Sequence, residues 1–289
     1  MKVIFENGNT VLKNVKDFNL RHIFDCGQCF RWNLDADGAY EGVAKGHALR
    51  ISQSGENVVL YQTSVEEFQD IWYDYFDFSR DYGKIKEELS ADDVLKKAIP
   101  YGDGIRILKQ ELFETVISFI ISASNNIPRI KKIVENLCCN FGEKISYMGE
   151  IFYTFPTPEK INSLTLEDLS VIKAGFRDKY ILDAAEKFVS GEISYDKLLN
   201  MSAADAKKML MTIKGVGNKV ADCIVLFGLS KCESFPVDVW IKRIMEYCYF
   251  DGEESIEKIS AFAKEKFGVL GGYAQQYLFF YARENKIGL

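Results

Sequence analysis

The most informative segment runs from residue 210 to residue 223 and reads LMTIKGVGNKVADC. One predicted helix ends at a tight Gly215-Val216-Gly217 turn and a second begins directly after it, so residues 203–229 are predicted to form a helix-hairpin-helix. Backbone amides at the start of a helix, together with the helix dipole, favour an anion. Lys214 and Lys219 flank the turn. The segment therefore predicts contact with a nucleic-acid phosphate, although Gly-x-Gly also occurs as a plain turn between packed helices.

A second segment, residues 235–240, reads FPVDVW and follows Lys219 by a short interval. Asp238 is well placed to cap the helix that follows it. Together with Lys219, which opens a neighbouring helix, Asp238 also becomes a candidate for an amine–carboxylate pair. A lysine can act as a nucleophile where burial or nearby charge lowers its pKa. The loop over residues 234–240 is therefore the candidate for the catalytic aspartate.

The rest of the chain predicts an α+β protein, with an N-terminal antiparallel β-sheet domain followed by a mostly helical body. Runs 39–44, 47–52 and 58–62 are rich in β-branched and aromatic residues and lie between turn clusters, which indicates an antiparallel meander. Residues 64–95 combine carboxylates with many aromatic residues, among them Trp72, Tyr73, Tyr75, Phe76 and Phe78, and are predicted to be a helical bridge packed on both halves. Helices are predicted at 105–124, 129–141, 166–173, 178–190, 203–213, 218–229, 238–250, 254–267 and 273–284. The predicted domains are residues 1–100 and 101–289.

Composition narrows the possible functions. The chain has 289 residues, a net charge of −6 and only two histidines, His22 and His47, which disfavours Ser-His-Asp triads and most zinc enzymes. The acidic excess is concentrated in residues 66–93, so the charge does not exclude a nucleic-acid partner. Seven cysteines are expected to be reduced, and Cys26 and Cys29 are interpreted as small buried side chains in preference to a redox or metal pair. No apolar run approaches the about 20 residues of a membrane span, and a cytoplasmic protein is expected.

Four blocks in this sequence resemble a known family. They are GQCFRW at 27–32, SNNIPR at 124–129, KVADC at 219–223 and YAQ at 273–275, and they join the GVG turn and Pro236-Val237-Asp238. Together they are similar to the helix-hairpin-helix DNA glycosylases, and most of all to the 8-oxoguanine DNA glycosylase/lyases. The blocks occur in the family's order over nearly the whole chain.

The resemblance implies roles for the matching residues. Lys219 corresponds to the nucleophile that attacks C1′, expels the base and forms a Schiff base before β-elimination. Asp238 corresponds to the aspartate that stabilises positive charge developing on the sugar. In the lesion-base pocket, Gly27 corresponds to the residue whose carbonyl accepts N7–H of the oxidised base, Cys223 and Phe279 to the residues that sandwich the base, and Gln275 to the contact with its Watson–Crick edge.

Further positions correspond to the family's contacts with the opposite base and to its wedge. Asn125 and Asn126 match part of the wedge that enters the gap left by the extruded base, and Arg129 and Arg177 match the arginines that bind the opposite cytosine. The chain departs from the family pattern at Ser124, Phe176 and Trp240, where asparagine, tyrosine and histidine are usual. These departures predict a moderate preference for cytosine opposite the lesion.

The resemblance thus implies a bifunctional DNA glycosylase and apurinic-site lyase that acts as a monomer on double-stranded DNA containing oxidised guanine, without a metal or an organic cofactor. The expected location is a bacterial-type cytoplasm, at the nucleoid. No cysteine follows Cys248, which disfavours the relatives with a C-terminal iron–sulfur cluster. The alternatives are a helix-hairpin-helix glycosylase for alkylated bases, a non-catalytic DNA-binding module, and a redox protein built on Cys26 and Cys29.

Overall fold

The N-terminal part of the chain folds into a six-stranded antiparallel sheet in the order β1-β2-β6-β5-β4-β3. The structure, a computed structural model, describes residues 1–250 and 252–287. The strands are β1 Lys2–Glu6, β2 Asn9–Lys13, β3 Trp32–Leu34, β4 Tyr40–Ala44, β5 His47–Ser54 and β6 Asn57–Leu60. Leu12, Ile51 and Val58 are fully buried on the inner face of this sheet. The predicted antiparallel meander is therefore confirmed.

The acidic, aromatic-rich segment connects the two halves of the molecule. It contains α2 Val65–Glu67, a π-helical turn Phe68–Trp72, α3 Tyr73–Tyr75, α4 Tyr82–Leu89 and α5 Asp93–Ala98. Phe68 and Trp72 are fully buried in the core beneath the sheet, whereas Ile85 and Leu95 belong to the core of the helical body. The prediction of a helical bridge packed on both halves is confirmed. The exact division of the chain at residues 100 and 101 stays a prediction.

Helices dominate the remainder of the chain. They are α6 Leu112–Ser122, α7 Ile127–Phe141, α8 Pro158–Asn162, α9 Leu166–Leu169, α10 Asp178–Val189, α11 Tyr195–Leu199, α12 Ala203–Leu210, α13 Asn218–Leu229, α14 Val239–Tyr249, α15 Ile256–Phe267 and α16 Gly271–Glu284; a further short helix, α1 Leu20–Phe24, lies within the N-terminal half. The predicted helix-hairpin-helix corresponds to α12 and α13. Over the described residues, no helix combines the length and the apolar character that a membrane crossing requires.

The predicted helix at 105–124 is wrong in its first part, because α6 begins only at Leu112. Residues 105–111 run without helical structure alongside the buried side chain of Gln28. The Gln28 amide donates to the carbonyl of Arg106 at 2.8 Å and its oxygen accepts from the amide of Leu108 at 2.9 Å. A side chain from the N-terminal half therefore bonds to backbone groups that a helix would have paired with each other. The apolar residues of this segment are buried for another reason, and their spacing resembled that of a helix.

A second, two-stranded sheet was not predicted from the sequence. Strands β7 Lys144–Tyr147 and β8 Glu150–Tyr153 form a hairpin inserted between α7 and α8. The hydroxyl of Tyr147 donates to the carbonyl of Tyr61 at 2.5 Å and accepts from the amide of Arg50 at 3.1 Å, which attaches the hairpin to the N-terminal sheet. Each strand has only four residues and neither is deeply buried, so the pattern is too short to indicate a strand from the sequence.

Candidate active site

The predicted lesion-base residues meet at one cavity with a volume of about 310 Å³. The cavity lies where the N-terminal half, the α6–α7 turn and helices α13, α14 and α16 come together. Of the residues to which the resemblance assigns a role at the site, eight line it: Gly27, Asn125, Asn126, Lys219, Cys223, Asp238, Gln275 and Phe279. They come from positions spread over the whole chain, so the fold and not the sequence order brings them together.

The hairpin between α12 and α13 is fixed by its first glycine and by a buried carboxylate. Gly215 has φ +83°, and a Cβ at this position would lie 2.4 Å from the ring of Tyr180. Asp183, which is buried on α10, accepts hydrogen bonds from the backbone amide of Lys214 at 2.9 Å and from its Nζ at 2.8 Å. Burial would raise the pKa of Asp183, but these hydrogen bonds outweigh burial and lower it.

The second glycine of the hairpin has a different role from the first. Gly217 caps α13 with φ −93°, and no atom lies within 4 Å of the position that a Cβ would take. The fold therefore does not require glycine at this position. The side chain of Val216, between the two glycines, is buried in the core of the helical body. The open space around Gly217 leaves the N-terminus of α13 accessible to a ligand.

Lys219 lies in the first turn of α13 and is partly buried. Its ammonium group is 5.3 Å from the centroid of the Phe119 ring, which it faces. Cys223, one helical turn further on, is buried in the same wall. Burial raises the pKa of Cys223 to about 11, although the nearby charge of Lys219 acts to lower it. Cys223 is therefore a neutral thiol that offers the cavity an apolar surface.

Asp238 lines the same cavity from a different element, the loop before α14. Its Oδ1 accepts a hydrogen bond from the amide of Ile241 at 2.8 Å, so Asp238 caps α14 as predicted. Burial raises the pKa of Asp238, while the bond from Ile241 and the charge of Lys219 act to lower it. Pro236 and Trp240 from the same loop also line the cavity. One residue thus serves as helix cap and as cavity carboxylate.

The wall on the N-terminal side is formed by Gly27 and Phe279. Gly27 has φ +80°, and a Cβ at this position would have the Phe279 ring as its nearest neighbour, at 3.6 Å. Arg283 stacks on Phe279, with its guanidinium carbon 5.5 Å from the ring centroid, and donates to the carbonyl of Asp25 at 2.5 Å. Arg283 therefore fixes the ring of Phe279 against the N-terminal half. Sequence reasoning missed Arg283, although its position four residues after Phe279 on one helix was a usable signal.

The floor of the cavity contains two adjacent glutamines of α16. Gln275 and Gln276 are both buried and both line the cavity. The Nε2 of Gln276 donates to the Oε1 of Gln275 at 2.7 Å. Gln275 was expected here from the family resemblance. Gln276 was not expected, because nothing in the sequence distinguishes it from other residues of α16.

The turn between α6 and α7 forms the rim of the cavity. Ser124 has φ +50°, the Nδ2 of Asn125 donates to the carbonyl of Ile121 at 3.1 Å, and the Oδ1 of Asn126 accepts from the amide of Arg129 at 3.1 Å. Asn126 therefore caps α7 while it lines the cavity. The side chain of Arg129 is exposed.

Arg177, for which contact with the opposite base stays a prediction, is buried beneath this turn. Its guanidinium donates to the carbonyls of Ala123 at 2.5 Å, Ser124 at 3.3 Å and Ala174 at 3.2 Å. Burial, with the charge of Arg129, lowers its pKa. The carbonyls at the end of α6 have no donor within the helix, and the guanidinium of Arg177 donates hydrogen bonds to them. Phe176, stacked on this guanidinium at 4.3 Å, is 59% exposed.

The Cys26-x-x-Cys29 pair is confirmed as two buried thiols. The Sγ of Cys26 donates to the carbonyl of Ile23 at 3.2 Å, and that of Cys29 to the carbonyl of Phe24 at 4.0 Å. Burial raises the pKa of Cys26 to about 12. A thiol held in its neutral form is a poor nucleophile, so the redox interpretation loses its support.

Comparisons with known proteins agree with this geometry. Residues 10–116 match the family model for the 8-oxoguanine DNA glycosylase N-terminal domain, and residues 117–268 match the model for the HhH-GPD superfamily of base excision DNA repair proteins. The Saccharomyces cerevisiae N-glycosylase/DNA lyase is 34% identical over an alignment of 263 residues, which covers 82% of this chain and 69% of that protein.

Two solved structures are similar over nearly the full length of both chains. The Clostridium acetobutylicum 8-oxoguanine glycosylase/lyase, in complex with double-stranded DNA containing cytosine opposite 8-oxoguanine, is 44% identical, with a TM-score of 0.96 and 99% of each chain covered. A protein called MBOgg1, in complex with a low-affinity DNA ligand, is 48% identical, with a TM-score of 0.95 and 99% of each chain covered.

Proposed function

We propose that this chain, which belongs to the 8-oxoguanine DNA glycosylase family of the HhH-GPD superfamily, excises 8-oxoguanine from duplex DNA and then cuts the strand at the same site. The observation that carries this proposal is the cavity in which Lys219 and Asp238, from two separate elements, face the base-recognition residues Gly27 and Gln275. The formamidopyrimidine form of the lesion presents a similar edge and is a second expected substrate. We propose that it acts as a monomer, since all these groups come from one chain, and that it acts at the nucleoid of a bacterial-type cytoplasm.

Lys219 is proposed as the nucleophile for both steps. Its amine attacks C1′, the glycosidic bond breaks, and the base leaves with the bonding electrons and takes up a proton. Opening of the sugar ring then gives an imine between Nζ and C1′. Loss of a proton from C2′ is accompanied by cleavage of the bond between C3′ and its oxygen, which nicks the strand. Hydrolysis of the imine then releases the lysine. The Phe119 ring beside Nζ keeps the lysine directed at the cavity.

Asp238 is proposed to stabilise the positive charge that develops on the sugar as the base departs. The carboxylate is held in place by its bond to the amide of Ile241, so no rearrangement is needed when the charge appears. Electrostatic groups fixed in this way contribute most in sites from which water is excluded. A base must leave the helix to reach such a cavity.

Recognition of the base is assigned to the walls of the cavity. The carbonyl of Gly27 would accept N7–H, a hydrogen that 8-oxoguanine has and guanine lacks. Cys223 and Phe279 would hold the two faces of the base, the first as a neutral thiol and the second as a ring fixed by Arg283. Gln275 would contact the Watson–Crick edge.

The surface around the cavity is proposed to hold the DNA. The open N-terminus of α13 at Gly217 would take a backbone phosphate, with Lys214 beside it. Asn125 and Asn126 on the rim would occupy the gap in the duplex. Arg129 is exposed and free to meet the opposite base, whereas Arg177 would act by supporting the rim turn.

The function is tested by single-turnover excision from duplexes that contain one 8-oxoguanine opposite each of the four bases. We expect release of the free base and cleavage at the lesion, with no release of undamaged guanine. Failure to release the base from any of the four duplexes would contradict the proposal.

The same assay measures the preference for the opposite base. Because Arg129 is exposed but Arg177 is engaged with the rim turn, we expect excision to be fastest opposite cytosine by roughly tenfold, at the low end of the about 1–3 kcal/mol that a good bidentate base contact is worth. Equal rates opposite all four bases would show that neither arginine reads the partner base.

The two hairpin glycines give a matched pair of variants for the phosphate contact. Gly217→Ala should fold normally, because its φ is ordinary and the space is open. Its methyl group would obstruct a phosphate at the N-terminus of α13, so a duplex with an abasic-site analogue should bind at least about tenfold more weakly, the loss of one hydrogen bond to a charged group. Gly215→Ala should lower stability by about 1–2 kcal/mol, because of its φ and the Tyr180 ring. Thermal melts and equilibrium binding measure both effects. Wild-type affinity in Gly217→Ala would place the DNA elsewhere.

A further inference from the structure

Two adjacent glutamines at the floor of the cavity form an arrangement that the proposed mechanism does not yet use. Gln275 and Gln276 have side chains that are 4% and 2% exposed, and the Nε2 of Gln276 donates to the Oε1 of Gln275 at 2.7 Å. Neighbouring side chains on a helix diverge by about 100°. Only one of the two side chains can therefore point directly at a base in the cavity. The other contacts the amide of the first from the side.

The second glutamine is in an environment that does not favour its amide. The Oε1 of Gln276 is buried and has no hydrogen-bond partner among the residues that the structure describes. An unpartnered buried amide oxygen is unfavourable, and an apolar side chain of the same size would avoid this penalty. The stability of the fold therefore does not explain Gln276, and a role at the site becomes the better explanation.

The bond from Gln276 determines which end of the Gln275 amide is presented to a ligand. An amide can turn by half a rotation and exchange its donor and its acceptor ends. Because the oxygen of the Gln275 amide accepts a hydrogen bond from Gln276, the NH₂ group of Gln275 must take the other position on the amide carbon. The second lone pair of the Gln275 oxygen stays available to a ligand. Gln275 thus offers a donor and an acceptor side by side, in a fixed order.

This order matches one kind of purine edge and opposes another. Guanine-type bases carry an acceptor, O6, beside a donor, N1–H, and an amide in this orientation can bond to both. Adenine-type bases carry the reverse order, with an amino group at C6 beside the N1 acceptor. Against the fixed Gln275 amide, a C6 amino group would meet a donor.

We propose that Gln276 is a positioning residue that fixes the amide orientation of Gln275, so that the cavity accepts 8-oxopurines with a carbonyl at C6 and rejects those with an amino group at C6. This inference rests on the proposed function. Gln276 then controls the choice between a carbonyl and an amino group at C6, through its contact with the Gln275 amide. The carbonyl of Gly27 accepts the N7–H that both kinds of 8-oxopurine carry.

The test compares 8-oxoguanine with 8-oxoadenine, each opposite cytosine in the same duplex, by single-turnover excision with wild type and Gln276→Met. Methionine is similar in size but cannot donate, so both orientations of the Gln275 amide become available. We expect the ratio of the two excision rates to fall about fivefold, the value of one neutral hydrogen bond, while the melting temperature stays the same or rises. A partly unfolded variant would lose both rates equally, so the ratio reports orientation and not the active fraction.

A double-mutant cycle supplies the control. Gln275→Met should remove the discrimination, and adding Gln276→Met to it should change the ratio no further, because Gln276 acts only through Gln275. An unchanged ratio in Gln276→Met, or additive effects of the two changes, would overturn the inference. If wild type released neither base, the proposed function itself would fail and this inference with it.

Discussion

Asp238→Asn is expected to excise 8-oxoguanine about 100- to 1,000-fold more slowly than wild type, at an unchanged melting temperature. Removal of one fixed electrostatic group from a developing charge costs about 2.7–4 kcal/mol in comparable sites. Asparagine caps helices as well as aspartate does, so the bond to the amide of Ile241 and the start of α14 should survive. Single-turnover kinetics and a thermal melt separate the two roles of this residue.

Asp238→Ala is the matched comparison. It removes the cap as well as the charge, so it should lose about 1 kcal/mol of stability in addition to the same loss of rate. If Asp238→Asn were as active as wild type, the carboxylate would be a helix cap only.

The pH dependence provides a second check on Asp238. Burial raises its pKa above the ordinary value of 3.8, so the folded protein favours the protonated form more than the unfolded chain does. The mechanism needs the ionised form, and the excision rate should therefore fall as the pH drops through this raised pKa. Asp238→Asn should lack that acid limb in its pH–rate profile.

Lys219→Gln is expected to lower excision by at least about a thousandfold and to abolish strand cleavage, because it removes the proposed nucleophile of both steps. Affinity for a duplex with the lesion should change far less. The matched control is Lys208→Gln, which removes the same charge from α12, where the side chain is 78% exposed and pairs with Asp205. If Lys219→Gln excised the base as fast as Lys208→Gln does, Lys219 would not be the nucleophile.

The parts of this molecule that could be predicted from the sequence are those determined by local chemistry. The Gly-Val-Gly turn between two helices and the aspartate at the start of α14 are short-range patterns, and both lie where the sequence placed them. The roles of Gly27 and Gln275 came from resemblance alone, since neither residue has a local signature. The cavity then brings them together with Lys219 and Asp238.

The parts that could not be predicted depend on partners distant in sequence. Gln28 holds the segment before α6 in a non-helical form from about 80 residues away, and hydrophobic periodicity contains no record of such a bond. Arg177 donates hydrogen bonds to the carbonyl of Ala123 at the end of α6, more than 50 residues earlier in the chain, and this structural role had no signal in the sequence. Gln276 is recognisable only once its unpartnered oxygen and its bond to Gln275 are seen.

The central claim, that Lys219 forms an imine with the sugar of the damaged nucleotide, is tested most directly by borohydride trapping on a duplex with one 8-oxoguanine opposite cytosine. Wild type and Lys208→Gln should give a covalent protein–DNA complex, and Lys219→Gln should give none. Peptide mapping should place the bond at Lys219. A complex that persists in Lys219→Gln would identify another amine as the nucleophile, and base release by wild type without any trapped complex would mean that water attacks C1′ instead.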